Sequence, residues 1–338
     1  MRHLFSYIIT RVLLAIPMIF IMVSLIFVVL RVMPGDPVSA MLGGHAPQKV
    51  IDQKKKDLGL DKPIGVQYIE YLGQLARFDL GKSMIYNQQV SQPIVEKLPA
   101  TIELTVFGLL ASLGIGVPLG AYAARRRRSG RDFGIRFYAN VVYCIPVFWM
   151  GLLLQLVFGV MLPWFPVAGR TGARIEVSEF SRTGFYIIDT LRAGNIAAFG
   201  DVMWHLVLPA LTLGIVLSGI FVRLTRANML DVLKSDYILA ARARGIPERK
   251  VVYNHGLRNA LIPIVTMLGL QFSLLLAGAI LTESTFSWPG MGRLLLERIY
   301  LRDYPTIQGV IIVYTLFVSV VSLIVDLLYA AIDPRVKY

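Results

Sequence analysis

Charge is what this sequence has little of. Only 16% of its 338 residues are Asp, Glu, Lys or Arg, against about 25% in an ordinary soluble domain. Hydrophobic residues make up 56%, and the mean hydropathy is +0.63. That balance argues against a soluble globular domain and places the chain among membrane proteins. Cysteine is scarcer still. Cys144 stands alone, so no internal disulfide can form, and its place in an apolar run reads as a small buried hydrophobe. Motifs for hydrolysis and metal binding are missing. There is no His-Glu-x-x-His and no Gly-x-Ser-x-Gly, and the four histidines, His3, His45, His205 and His255, are scattered. No catalytic residue and no metal site is expected. The segment Asp79-Leu-Gly-Lys-Ser83 ends like a phosphate-binding loop, but Ala76 occupies the position where that loop needs its first glycine. With no other nucleotide site in view, no cofactor is expected on this chain. Any ATP and Mg²⁺ chemistry must sit in a partner.

What the sequence has in abundance is long apolar runs. Crossing the hydrocarbon core takes about 20 apolar residues. Six stretches qualify: roughly 10–31, 101–124, 135–162, 203–224, 261–282 and 308–331. The first contains an apolar run, Val12 to Leu30, that is longer than a signal peptide's and ends at Arg31 without a small-residue cleavage site. It reads as an uncleaved transmembrane helix. Each span must be helical, because unpaired backbone groups are costly in lipid. Pro17, Pro118, Pro146 and Pro209 predict kinks that neighbouring helices can accommodate. Gly108, Gly114, Gly116 and Gly120 permit close helix packing. The expected fold class is therefore all-α integral membrane, a six-helix bundle with structured outer loops. Residues 1–100 form a first helix plus a long outer loop, and 101–338 form a five-helix domain. Within the long loop, 47–58 and 64–78 read as short helices separated by Gly59 to Pro63. No internal repeat or low-complexity tract interrupts the chain.

The net charge of +13 could point to nucleic acid, but its distribution points elsewhere. Segment 125–136 holds six arginines and one aspartate, and 223–260 holds eight basic and three acidic residues. Segments 163–202 and 283–307 are balanced. Positive charge thus falls on alternate connections, which places 125–136, 223–260 and both termini in the cytoplasm. The Arg125–Arg128 run reads as a topology signal that meets anionic lipid of the bilayer. No nucleic-acid partner is expected.

Few polar groups lie in the spans. Glu103 and Asp326 sit near span ends, with Gln155 and Gln271 deeper. Glu103, Asp326 and Gln271 are candidates for gating or for packing. The cytoplasmic loop 226–260 carries more information. Asp236 is a candidate helix cap, Tyr237 to Arg244 are good helix formers, and Gly245 is a suitable stop. Ala240, Ala241 and Ala243 give a smooth face that could dock in a partner's groove, although a plain connector is the simpler reading. The outer-loop motif Phe286, Trp288, Pro289 and Gly290 contains an expected tight turn at Pro289-Gly290. Trp288 reads either as an interfacial anchor or as simple packing.

The segment after Leu239 resembles the Glu-Ala-Ala loop of membrane subunits of binding-protein-dependent ABC importers. Ala240, Ala241, Gly245 and Leu257 fit that pattern. Leu239, His255 and Arg258 replace its Glu, Ile and Pro. These departures are themselves similar to the dipeptide/oligopeptide permease branch, which the chain resembles almost end to end. The matching stretches are Met33-Pro-Gly-Asp-Pro37, Leu58-Gly-Leu-Asp-Lys-Pro63, Asp79-Leu-Gly-Lys-Ser83, Ala240-Ala-Arg-Ala-Arg-Gly245, His255-Gly-Leu-Arg-Asn-Ala260, Phe286-Ser-Trp-Pro-Gly-Met-Gly292 and Arg302-Asp-Tyr-Pro305. The resemblance implies a type I ABC importer transmembrane domain in a bacterial or archaeal inner membrane, and a pore subunit without enzymatic activity. Its implied partners are a second, similar permease subunit, two ABC ATPase subunits and an extracytoplasmic solute-binding protein. The 237–250 helix would be the coupling helix, with Tyr237, Ala240, Ala241, Arg242, Arg244, Gly245, Ile246 and Pro247 at the ATPase. Peptide is the implied cargo. Nickel, glutathione and oligosaccharide are alternatives within the class, and a proton-coupled secondary carrier is the alternative outside it.

Overall fold

A backbone without water to bond must bond to itself, and most of the described residues do so in helices. The computed structural model describes residues 2–32, 38–39, 42, 46–57, 59–173, 175–177 and 180–332. The side chains of 2–12, 262, 277–278, 326 and 328–332 lie outside that description, so nothing structural attaches to Asp326 beyond its place in a helix. The Met33–Pro37 motif also lies outside the described residues. In chain order the helices are α1 (Arg2–Val32), α2 (Gln48–Asp57), α3 (Ile64–Ala76), α4 (Ser91–Arg125), α5 (Gly130–Cys144), α6 (Val147–Leu154), α7 (Tyr186–Arg192) and α8 (Ile196–Val232). Next come α9 (Asp236–Ala243), α10 (Glu248–Ala260), α11 (Ile262–Gly278), α12 (Ile280–Thr285), α13 (Met291–Tyr300) and α14 (Tyr304–Ile332). Wider π-helical turns occupy Gln155–Met161 and Val251–Gly256. Among the described residues the β pairing is a single bridge, Lys82 to Gln89.

Among the described residues, four helices are long and apolar enough to cross a membrane unaided: Leu13–Val32 of α1, α4, α8, and Tyr304–Val325 of α14. The expected third span is broken, since α5 and the helix that follows it meet at 103°. The cause is Pro146, whose ring pushes Ile145 out of the helical region to φ −79°, ψ 126°. The expected fifth span is likewise bent, by 52°, where α10 meets α11 at Pro263. The total reaches six only if each bent pair is one span. Pro17, Pro118 and Pro209 lie inside unbroken helices, as does Pro99. Cys144, expected to be buried, is exposed at the end of α5. There it lines an apolar cavity of about 660 Å³ with Phe137, Pro146 and Trp149.

The chain divides into two compact units, 1–98 with 290–319 and 99–289 with 320–338. In the first, α3 packs on the C-terminal part of α1. Phe27 is buried between the rings of Tyr68 and Tyr71, Ser24 and Tyr68 share a hydrogen bond of 2.6 Å, and Arg31 donates to Gln67. The Gly-Lys-Ser segment has a structural job here. The Ser83 hydroxyl donates to Asp303 at 2.6 Å, and the same carboxylate accepts from the Met84 amide and the Thr306 hydroxyl. Two motifs 220 positions apart thus close one buried polar cluster.

The second unit is organised on α8, whose most apolar window is 72% buried. Apolar side chains gain nothing by leaving lipid for one another, so membrane helices associate through close packing of small residues. Here α4 meets α8 backbone to backbone. A Cβ on Gly116 would lie 2.5 Å from the Phe221 Cβ and 2.9 Å from the Ser218 carbonyl oxygen. A Cβ on Gly120 would lie 2.7 Å from both the Thr225 Cβ and the Val222 oxygen. Gly219 of α8 approaches the Ala139 oxygen of α5 in the same way. Gly114, by contrast, has nothing within 4 Å. Gly116→Ala is expected to destabilise by about 1–3 kcal/mol through overpacking, whereas Gly114→Ala should be neutral or slightly stabilising. Thermal melts of the two variants in detergent check the difference.

Candidate functional site

The loop after α8 builds a short helix held against its neighbour. Ser235 occupies the extended N-cap position, so the expected cap, Asp236, is instead the first helical residue, where its charge suits the helix dipole. The Ser235 hydroxyl donates back to the Val232 carbonyl. At the other end Gly245 takes φ +73°, a left-handed conformation that costs glycine little. Its amide donates to the Arg242 oxygen at 2.9 Å, and the Ile246 amide donates to the Ala241 oxygen at 3.3 Å. These two bonds, with Ile246 packed in the same apolar cluster as Ala241, form a Schellman closure. The expected single helix over 237–250 is therefore two, α9 and α10, separated by Gly245–Pro247.

Burial sorts the α9 side chains. Ile238 (0% exposed) and Ala241 (7%) pack with Val251, Val232 and Leu233. Ala241 thus faces this chain's own interior and offers no surface to a partner. Tyr237, Leu239, Ala240, Ala243 and Arg244 are exposed, and the Tyr237 hydroxyl accepts from Asn259 at 2.7 Å. Arg242 is spent within the loop. Its guanidinium donates twice to Glu248, at 2.9 and 3.1 Å, and those hydrogen bonds hold it more firmly protonated than usual. Gly245, Ile246 and Pro247 shape the turn. The outward face is consequently a small apolar strip, Leu239, Ala240 and Ala243, flanked by Tyr237 and Arg244.

A second polar site lies in the same unit. Glu103 and Arg170, both nearly buried, pair at 2.6 Å. Glu103 also accepts from the Ile187 amide, while Arg170 donates to the Gly184 carbonyl and lies 3.6 Å above the Tyr186 ring. Trp288 is fully buried beside them and donates its indole N–H to the Ala100 carbonyl at 2.9 Å. Of its two readings, internal packing is the one the burial supports. The Thr101 hydroxyl donates to Glu283 at 2.6 Å. Phe286 is buried too, and its carbonyl accepts from Gly169. The turn expected at Pro289-Gly290 falls earlier, at Ser287 with φ +48°, and Gly290 is extended. Gln155 bridges the Val167 and Thr285 carbonyls. Gln271 is buried and touches the Met267 sulfur. Sequence reasoning named Glu103 but missed Arg170, Thr101 and Glu283. Nothing local marks them, because the pairing spans 67 positions in one case and 182 in the other. Among the described residues no cluster of His, Cys, Asp and Glu could hold a metal ion.

Among the described residues, predominantly helical structure with several helices long and apolar enough to cross a membrane defines an integral membrane protein of helical class. The chain belongs to the family of binding-protein-dependent transport system inner membrane components, which is a type I ABC importer permease domain. Residues 116–338 match that family, and 4–105 match its N-terminal companion. The dipeptide transport system permease protein DppB of Alkalihalophilus pseudofirmus is 42% identical, over 98% of this chain and 99% of that one. The di/tripeptide transport system permease protein DppB of Pseudomonas aeruginosa is 41% identical with the same coverage. The glutathione transport system permease protein GsiC of Pectobacterium atrosepticum is 38% identical, also with the same coverage.

Two predictions follow from the geometry. Glu103→Gln leaves Arg170 buried without a counter-charge and should cost about 3–5 kcal/mol, whereas replacing both partners with apolar residues should cost less than either single change. A double-mutant cycle of thermal melts measures this. Asp189 has a second, pH-dependent signature. Burial pushes its carboxyl up, but three backbone amides (Arg182, Thr183, Gly184) and the Thr183 hydroxyl donate to it and outweigh burial, so its pKa is lowered. A lowered folded-state pKa gives stability that is full above the ordinary aspartate value of about 3.9 and is lost as pH falls through the lowered one. Asp189→Asn should flatten the acid end of a melting-temperature profile and lower stability at pH 7.

Proposed function

We propose that this chain is one half of the translocation pathway of an ATP-driven importer for di- and oligopeptides. The observation that carries the reading is the exposed strip of α9, on a Schellman-closed helix in a chain of this family. A small-residue helical face fits a groove on a partner, and the partner proposed is an ABC ATPase. Two such subunits, supplying ATP and Mg²⁺, would dock below, one on α9 and one on the matching helix of a second permease subunit. An extracytoplasmic solute-binding protein would deliver cargo from the other side. In this reading each bent pair is one span, giving six, with both termini cytoplasmic. Residues 1–100 supply the first span and the long outer loop, and 101–338 supply the five-helix domain. The short-peptide names of the relatives support peptide cargo over nickel or oligosaccharide, and membership of this family disfavours a proton-coupled carrier.

The mechanism follows from how α9 is tied. Ile238 and Ala241 bury into α10, Arg242 bonds to Glu248, and α9 continues from the buried α8 through three residues. A pull on α9 therefore reaches α8 and α10 together. Such a pull changes the pathway only if the ATPase contacts α9 differently in its two nucleotide states.

The decisive contrast is between neighbouring alanines. Ala240→Glu should leave the melting temperature unchanged, yet strip the ATPase subunits during purification and reduce uptake of a labelled dipeptide at least tenfold, roughly the loss of one good contact. Ala241→Glu should instead lower the folded yield, because it buries a charge. Full ATPase retention and wild-type uptake by Ala240→Glu together with Ala243→Glu would sink the docking assignment.

A further inference from the structure

On the face assigned above to the cytoplasm, a cavity of about 670 Å³ opens between the last turn of α4 and the first turns of α10. It is lined by Tyr122, Arg125, Arg249, Lys250, Tyr253 and Asn254. Three cations, two phenols and one amide line it, and no carboxylate does. The two acidic side chains nearest in sequence are already committed, Asp132 to Arg226 at 2.6 and 2.9 Å and Glu248 to Arg242. Among the described residues nothing neutralises Arg125, Arg249 or Lys250. The Tyr122 hydroxyl accepts from Arg131 at 2.7 Å, which leaves its own proton free to donate into the cavity. Donors on every side, no fixed anion and a hollow between them are the requirements for holding an oxyanion.

We propose that this cavity binds the phosphate headgroup of an anionic phospholipid. Its position selects lipid over other sources of phosphate. Arg125 is the last residue of the long apolar α4, so the cavity mouth lies where the apolar surface of that helix ends. Acyl chains can then lie along α4 while the phosphate sits among the cations. Arg126, Arg127 and Arg128, all exposed, continue the positive field beside it. Basic pockets at this depth on the cytoplasmic side suit anionic headgroups, and each cation near such a surface changes partitioning roughly fivefold. Tyr253 also packs with Ala124 and Met229 at the base of α8, so an occupied cavity would brace the root of the α9 loop. The inference rests on the proposed topology only for which leaflet supplies the lipid.

The test uses the full-length chain in its assembled complex, purified in detergent, with retained lipid counted by native mass spectrometry. Phosphatidylglycerol is the probe and phosphatidylcholine the control. The wild type should retain phosphatidylglycerol selectively. Arg249→Gln with Lys250→Gln should reduce that retention at least about tenfold, whereas Arg126→Gln with Arg127→Gln, equal in charge but outside the cavity, should change it less than about threefold. Equal losses from the two pairs would mean general attraction to an anionic surface and would overturn the pocket. Inorganic phosphate that displaces the lipid at low millimolar concentration would assign the site to a soluble oxyanion. Loss of ATPase subunits from the Arg249/Lys250 variant with lipid retention intact would make the patch a protein contact, and the proposal would fail. Labelling of Arg127→Cys from outside, in a Cys144→Ser background, would overturn the cytoplasmic side of both readings.

Discussion

The rest of the second unit depends on how closely α4 and α8 approach. Lipid offers these helices no hydrophobic reward for leaving it, so their association must come from dispersion between surfaces in contact over their length. Gly116 and Gly120 supply that contact by removing the side chains that would hold the backbones apart. Once α8 is seated, its other faces are available as a template. Gly219 admits α5 against the Ala139 carbonyl, and α6, α7, α11 and α12 contact α8 as well. The same helix then emerges into the α9 loop, so the geometry of the exposed strip is fixed by packing many residues away.

Shape alone does not give α4 a unique register. The buried polar network near its N-terminal part does, since Glu103, Thr101 and the Ala100 carbonyl each have a specific partner. A buried ion pair adds little net stability compared with well-packed apolar residues, because desolvation offsets most of the attraction. Its effect is to penalise every other arrangement, in which a charge or a donor would be stranded. Arg170 shows the discipline and its limit. One nitrogen meets Glu103 and Gly184 and the guanidinium plane covers Tyr186, yet its Nε has no hydrogen-bond partner.

Local signals were legible in the sequence. The apolar runs gave the helices, Gly59 and Pro63 gave the break between α2 and α3, and Gly245 gave the stop of α9. Each depends on residues within a few positions of one another. Two kinds of feature were not legible. Pro146 marked the site of a kink but not its size, because the same residue type lies inside unbroken helices at Pro17, Pro118 and Pro209 and breaks the chain by 103° only after Ile145. Long-range pairing is also silent. Ala76 excluded a nucleotide loop at Ser83 without revealing its partner Asp303, and Trp288 was open between interface and packing until its indole met Ala100.

The α9 strip shows how a single helical step separates a buried position from an exposed one. Ala240 and Ala241 are identical in chemistry, and composition or motif matching treats them as one unit. Their directions differ by about 100° around a helix of 3.6 residues per turn. That rotation carries Ala241 into the cluster with Ile238 and Val251 and leaves Ala240 beside Leu239 on the open face. The inward alanine must stay small for α9 to lie against α10, and the outward one must stay small for anything to lie against α9. The pair looks like a single motif in sequence although one member is buried and the other exposed. A helix clamped on one side by Ala241, Ile238 and Arg242 presents its other side with little freedom to reorient. Such a rigid, outward face can pass a displacement on to α8, where a loose connector would absorb it.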